Sequence, residues 1–114
     1  MTKRTSSDYL YDIEEAIEKG LEFIEDLGFE EFGRDEKTQY ALIRAVEIIG
    51  EASKKVSIEI KHKYPSIPWR EIGRMRDKLI HDYFGVNIEV VWKTGKEDLP
   101  KLKKDIKNII KNEL

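Results

Sequence analysis

Eight consecutive residues, Arg76-Asp77-Lys78-Leu79-Ile80-His81-Asp82-Tyr83, gather the groups best suited to chemistry in this chain. An imidazole titrates near neutrality, so His81 can give or take a proton. A guanidinium keeps its proton and can hold two oxygens of one phosphate, which suits Arg76 to an anionic substrate. Asp77 stands four residues before His81; on a helix that spacing lets the carboxylate orient the imidazole and favour its charged form. Tyr83 adds a phenol two residues beyond the histidine. Other chemistries have little material. With no cysteine, a disulfide scaffold, a zinc–thiolate site and a cysteine nucleophile are excluded. The other histidine, His62, lies between Lys61 and Lys63 on a different segment. A histidine-rich metal cage is therefore not expected, and no metal or cofactor is assigned.

Each group also has a purely structural reading. At about 100° per residue from Ile72, Arg76 falls in the apolar stripe with Met75, Leu79, Ile80 and Tyr83. An unpaired charge there is expensive, so Arg76 could be an interior arginine paired with Glu47 or Glu51. His81 could be a helix-end imidazole stabilised by the dipole. Tyr83 could be a core aromatic whose hydroxyl reaches the surface.

The element that must carry the segment is a helix from Trp69 to about Asp82. Pro65 ends the helix before it, and Pro68 suits its first position. Two longer helices precede it. Leu10, Ile13, Ile17, Leu21 and Ile24 form the apolar stripe of the first, Ser7 to Leu27, with a capping box in Thr5-Ser6-Ser7-Asp8 and a stop at Gly28. Asp35 caps the second, which the pattern carries to about Lys63 along Leu42, Ala45, Ile49, Ala52, Val56 and Ile60. Gly50 and Ala52 on it are small enough for close approach of another helix. A short segment, Asn87 to Lys93, follows the chemical one, and a lysine-rich helix after Gly95 and Pro100 closes the chain. No strand alternation persists and no repeat occurs. The pattern predicts one all-α domain over 1–114, an antiparallel bundle of four to five helices.

With 114 residues, the chain is about the modal size of one domain. Residues 1–35 carry a net charge of −7 and residues 61–114 one of +5. The basic second half can contact anions or nucleic acid, although two solvated helix faces of opposite sign would give the same split. No apolar run approaches the roughly 20 residues that span a bilayer, and the amino terminus lacks an apolar signal core, so a cytoplasmic, membrane-free protein is expected. Trp69, Phe84, Val90, Val91 and Trp92 exceed what a small bundle core requires and are expected at an interface between copies.

The Arg76-x4-His81-x-Tyr83 pattern resembles the motif of the HEPN ribonuclease toxins, specifically the HepT-like branch paired with minimal nucleotidyltransferases. The resemblance spans nearly the whole chain. It takes in Asp35-Glu36-Lys37-Thr38, Arg44, Glu47 to Ala52, and Tyr64-Pro65-Ser66-Ile67-Pro68-Trp69. It continues through Met75-Arg76-Asp77, His81 to Val86, Val91-Trp92 and Asp98-Leu99-Pro100. It implies a HEPN-like bundle and a metal-independent endoribonuclease acting as a homodimer, with Arg76 and His81 as the catalytic pair. It further implies a nucleotidyltransferase antitoxin that moves AMP from ATP to Tyr83 and silences the toxin.

The residues suit that chemistry. RNA cleavage without metal uses the neighbouring 2′-hydroxyl as nucleophile and needs a base, an acid and positive charge on the phosphorane. One chain offers one good imidazole, and positions five apart on a helix splay by about 140°. A twofold axis would bring two copies each of Arg76 and His81 to one cleft. Two alternatives stay open: a non-catalytic module that a nucleotidyltransferase binds and modifies, and a nucleotide- or nucleic-acid-binding bundle.

Overall fold

The computed structural model describes residues 3–81 and 85–114, and for residues 80, 81, 85 and 86 the backbone alone. It is an all-α bundle built on three long helices: α1 (Ser6–Ile24), α3 (Glu36–Lys55) and α8 (Leu99–Glu113). Shorter pieces complete it: α2 (Phe29–Gly33), α4 (Ile58–Lys63), α5 (Trp69–Gly73), α6 (Met75–Leu79) and α7 (Ile88–Lys93). A two-residue ladder, β1 (Ile80–His81) against β2 (Gly85–Val86), interrupts the helices.

α1 lies between α3 and α8 and runs antiparallel to both. Ser57, just past the end of α3, donates its N–H to Ser6 Oγ at the start of α1 (2.9 Å). At the other end Lys96 donates to Ile24 O (3.1 Å), while Lys107 meets Glu14 and Glu18 at 3.4 and 3.3 Å. The stripes anticipated from the 3.6-residue period make the core. Leu10, Ile13, Ile17 and Ile24 of α1 pack with Leu42, Val46 and Ile49 of α3 and with Leu102, Ile106 and Ile109 of α8. Both expected caps form. Thr5 and Asp8 close a capping box, and Asp35 Oδ1 accepts from Thr38 N at 3.0 Å.

Four boundaries differ from the sequence expectation. α1 stops at Ile24 rather than Leu27. The second helix is not continuous to Lys63: Val56 turns extended, and Ser57 caps a new helix by accepting from Ile60 N. The expected helix Trp69 to Asp82 breaks at Arg74 and ends at Leu79, where the chain enters β1. Gly95 does not separate the last two elements, because a π-helical turn, Thr94–Asp98, joins α7 to α8 without a break. α2 was not anticipated. Its Phe32 is fully buried and meets Trp92 at 5.1 Å between ring centroids.

Candidate active site

The candidate segment lies on the bundle beside Gly50 of α3. A Cβ there would meet the backbone oxygens of Ile72 and Gly73 at 3.4 and 3.5 Å, ordinary van der Waals contact, so α5 rests on α3 at this point whether or not the residue is a glycine. One turn earlier on α3, Glu47 reaches α6. Its Oε2 accepts from Arg76 Nε at 2.8 Å, with the arginine side chain 53% exposed and the glutamate 28%. Of the two partners open in the sequence, the structure selects Glu47.

The interior placement expected for Arg76 does not hold. The break at Arg74 restarts the helical phase, so an angle counted from Ile72 no longer applies. Met75 and Leu79 keep their buried places, and Arg76, Asp77 and Lys78 face solvent. The guanidinium therefore meets water and one partly buried carboxylate, with donors left over for an anion.

His81 sits on β1, paired with Gly85 on β2, and Asn87 N donates to Leu79 O (3.0 Å) where the ladder closes. Because α6 ends at Leu79, Asp77 and His81 do not share a helix, and the i,i+4 argument for their contact loses its basis. The 140° splay of Arg76 and His81 falls away for the same reason. The catalytic expectation for Arg76 is thus placed on a solvent-facing helix and that for His81 on an extended backbone just after it. Tyr83, with Asp82 and Phe84, lies outside the described residues.

Two hollows flank α5. One, about 210 Å³, separates α5 and α6 from α8 over an apolar floor of Pro68, Ile72, Met75 and Leu102, with Lys78 on its rim. The other, about 410 Å³, lies between α5 and the junction of α3 with α4. Neither was visible in the sequence, because each is made by elements whose breaks the hydrophobic pattern does not mark. Among the described residues no group of three or more His, Asp or Glu is placed to hold a metal ion, and no helix is long and apolar enough to cross a membrane.

The apolar residues expected at an interface are partly used within the chain. Val91 is fully buried, and Trp92 packs on Phe32 and Phe29 of α2 under Lys96. Trp69 donates Nε1–H to Tyr64 O (3.1 Å) and stays half-buried. The helix α2 thus covers Trp92 within the chain.

The fold and site together define a small all-helical protein with an exposed arginine on one short helix and a histidine on the ladder that follows. A family model described as "Ribonuclease HepT-like" matches residues 13–109, which include the whole Arg76–Tyr83 segment. The chain belongs to this HepT-like ribonuclease family, the HEPN-type branch that its motif resembles. It is 60% identical over 101 residues to a "Probable ribonuclease HepT" of Thermococcus cleftensis, covering 89% of this chain and 92% of that protein. It is 46% identical over 112 residues to a "Putative RNase" of Methanocaldococcus jannaschii, covering 98% and 97%. A "Putative RNase" of Caldanaerobacter subterraneus is 41% identical over 110 residues, covering 96% and 98%. No solved structure matches the chain.

Proposed function

We propose that this chain is a metal-independent endoribonuclease and the toxin of a toxin–antitoxin pair, working as a homodimer and silenced by AMP transfer to Tyr83. One observation carries the reading: the family match runs through Arg76, His81 and Tyr83, and Arg76 stands in solvent with only a surface ion pair to give up.

In this mechanism the 2′-hydroxyl oxygen attacks the adjacent phosphorus, and the bond from phosphorus to the 5′-oxygen breaks. One His81 takes the hydroxyl proton; the His81 of the second copy supplies a proton to the departing oxygen. Arg76 exchanges Glu47 for the phosphorane oxygens, whose charge grows in the transition state. The products are a 2′,3′-cyclic phosphate and a 5′-hydroxyl. In the silencing step the Tyr83 phenol oxygen attacks the α-phosphorus of ATP, pyrophosphate leaves, and the phenol proton passes to a base of the nucleotidyltransferase. The added AMP brings bulk and negative charge beside the cleft, opposing an entering RNA phosphate.

The Arg76–Glu47 pair favours one other reading, a non-catalytic module in which Arg76 is structural and Tyr83 is a modified docking surface. Co-expression with a candidate minimal nucleotidyltransferase, followed by intact-mass and peptide mapping, tests the pairing. A gain in multiples of one AMP on Tyr83 supports both readings, and cleavage lost in His81→Ala with helicity intact selects the enzyme. An unmodified Tyr83 in the presence of ATP and the partner would remove the regulatory step.

A further inference from the structure

The second hollow beside α5 has a lining that nothing in the mechanism uses. Trp69, Arg70, Gly73 and Arg74 form one wall, Lys54 of α3 and Lys61 of α4 the other, so every charged side chain around it is a cation. Outside this lining, Glu51 reaches Lys54 Nζ at 3.8 Å, and both side chains are exposed. Among the described residues Arg70, Arg74 and Lys61 make no ion pair. The Lys54 side chain runs alongside Gly73: its Cγ and Cε lie 3.4 Å from where a Cβ on that glycine would stand.

The aromatic member is held as a platform. Trp69 Nε1–H is committed to Tyr64 O at 3.1 Å, which fixes the ring. Lys61 Nζ stands 5.9 Å from the ring centroid and donates to Lys54 O at 3.4 Å. A base stacking on that ring would replace one π contact with another and free the lysine for a phosphate. Clustered cations around one fixed aromatic face are what a single strand of nucleic acid uses, phosphates on the cations and a base on the ring.

Position links this hollow to the arginine. Glu47, the partner of Arg76, and Lys54, the wall of the hollow, lie on the same side of α3 seven residues apart, about 10.5 Å along the axis. One strand of a duplex advances about 3.4 Å per nucleotide along the axis, and an unpaired strand extends further, so that interval spans at most about three nucleotides. We infer that Lys54, Lys61, Arg70, Arg74 and Trp69 form an RNA exosite, gripping the strand within about three nucleotides of the phosphate held at Arg76 and stacking one of its bases. The inference rests on the ribonuclease reading for what Arg76 holds; strand binding at the hollow itself stands apart from catalysis.

The test uses the full chain, a single-stranded RNA of about ten nucleotides and a dinucleotide, with a Lys54→Gln/Arg70→Gln/Arg74→Gln variant and with Trp69→Leu and Trp69→Phe. Wild type should favour the longer RNA in kcat/KM by tenfold or more. In the triple variant that preference should collapse, with the loss in KM. The slope of log binding constant against log salt should shrink by about 2, at roughly 0.7 per phosphate contact on a single strand. Trp69→Leu should weaken binding of the longer RNA about tenfold, while Trp69→Phe, which keeps an aromatic face, retains most of it. Circular dichroism melts identify any variant that fails to fold; the lysine and arginine changes, all on exposed residues, then carry the result. An unchanged preference and unchanged salt slope in the triple variant would overturn the exosite. So would a triple variant that binds RNA normally yet loses the nucleotidyltransferase, since the surface would then face protein. If wild type cleaves nothing, the ribonuclease reading fails separately. Anisotropy with the labelled longer RNA still decides the hollow: binding lost in the triple variant keeps it as an RNA site, and equal binding removes it.

Discussion

Arg76 and Glu47 hold each other across the contact of α6 with α3, Nε to Oε2 at 2.8 Å, while more than half of the arginine side chain remains in solvent. A pair this exposed contributes about 0–1 kcal/mol, so its value to the fold is small. Arg76→Ala should leave the thermal midpoint within a few degrees of wild type and lower RNA cleavage about 100- to 1000-fold, the usual cost of one transition-state donor. Glu47→Gln should bind RNA at least as well as wild type, because the guanidinium no longer has a carboxylate to leave. A collapse of helicity in Arg76→Ala would instead assign the arginine to the fold.

Tyr83 should separate regulation from catalysis. Tyr83→Phe lacks the oxygen that would accept AMP, so it should keep much of its RNase activity and stay toxic when the nucleotidyltransferase and ATP are supplied. Full neutralisation of Tyr83→Phe by the partner would mean inhibition by binding alone. An inactive Tyr83→Phe would move the phenol into the catalytic set.

The composite cleft requires two chains. Sedimentation at micromolar concentration should give about twice the 13.4 kDa of one chain. A clean monomer that still cleaves RNA would end the argument for paired His81 copies. Val91 and Trp92 are engaged within their own chain, so substitutions there should unfold the protein rather than dissociate it.

Asp35 gives the fold a dependence on acid. The Thr38 hydroxyl and, next, the Thr38 N–H bond its carboxylate and hold its pKa below the ordinary value. A lowered folded-state pKa means the contribution is complete above the unfolded value of about 3.9 and is lost as the pH falls through the folded one. Asp35→Ala should therefore lower the melting temperature by several degrees at pH 7, and by less near pH 2. Asp35→Asn, which caps without titrating, should flatten this part of the acid response. Equal effects of Asp35→Ala at both pH values would contradict the cap.

Local chemistry made much of this structure legible. Caps at Thr5 and Asp35 and the stripes of α1, α3 and α8 are short-range signals, and each formed. The breaks were less visible. Val56 and Ile60 continue one apolar stripe across the α3–α4 junction, which hid the helix start that Ser57 encodes. At five residues, α2 is too short to show a period. No Pro or Gly marks the end of α6 at Leu79; pairing of Ile80 and His81 with Val86 and Gly85 decides it, and tertiary pairing is not written in a helical wheel. Arg76 and His81 could be singled out as candidates from residue type, whereas the exposure of Arg76 could not, because it depends on the break at Arg74. The cation cluster around Trp69 depends on three elements at once and has no linear signature.

The most direct test of the account is the chemistry of the cut ends. Purified wild type, incubated with single-stranded RNA in excess EDTA, should leave 2′,3′-cyclic phosphate and 5′-hydroxyl ends. His81→Ala, with unchanged helicity, should lose about 100- to 10,000-fold of that rate. Cleavage that stops with the chelator, products ending in 3′-hydroxyl and 5′-phosphate, or a fully active His81→Ala would contradict it.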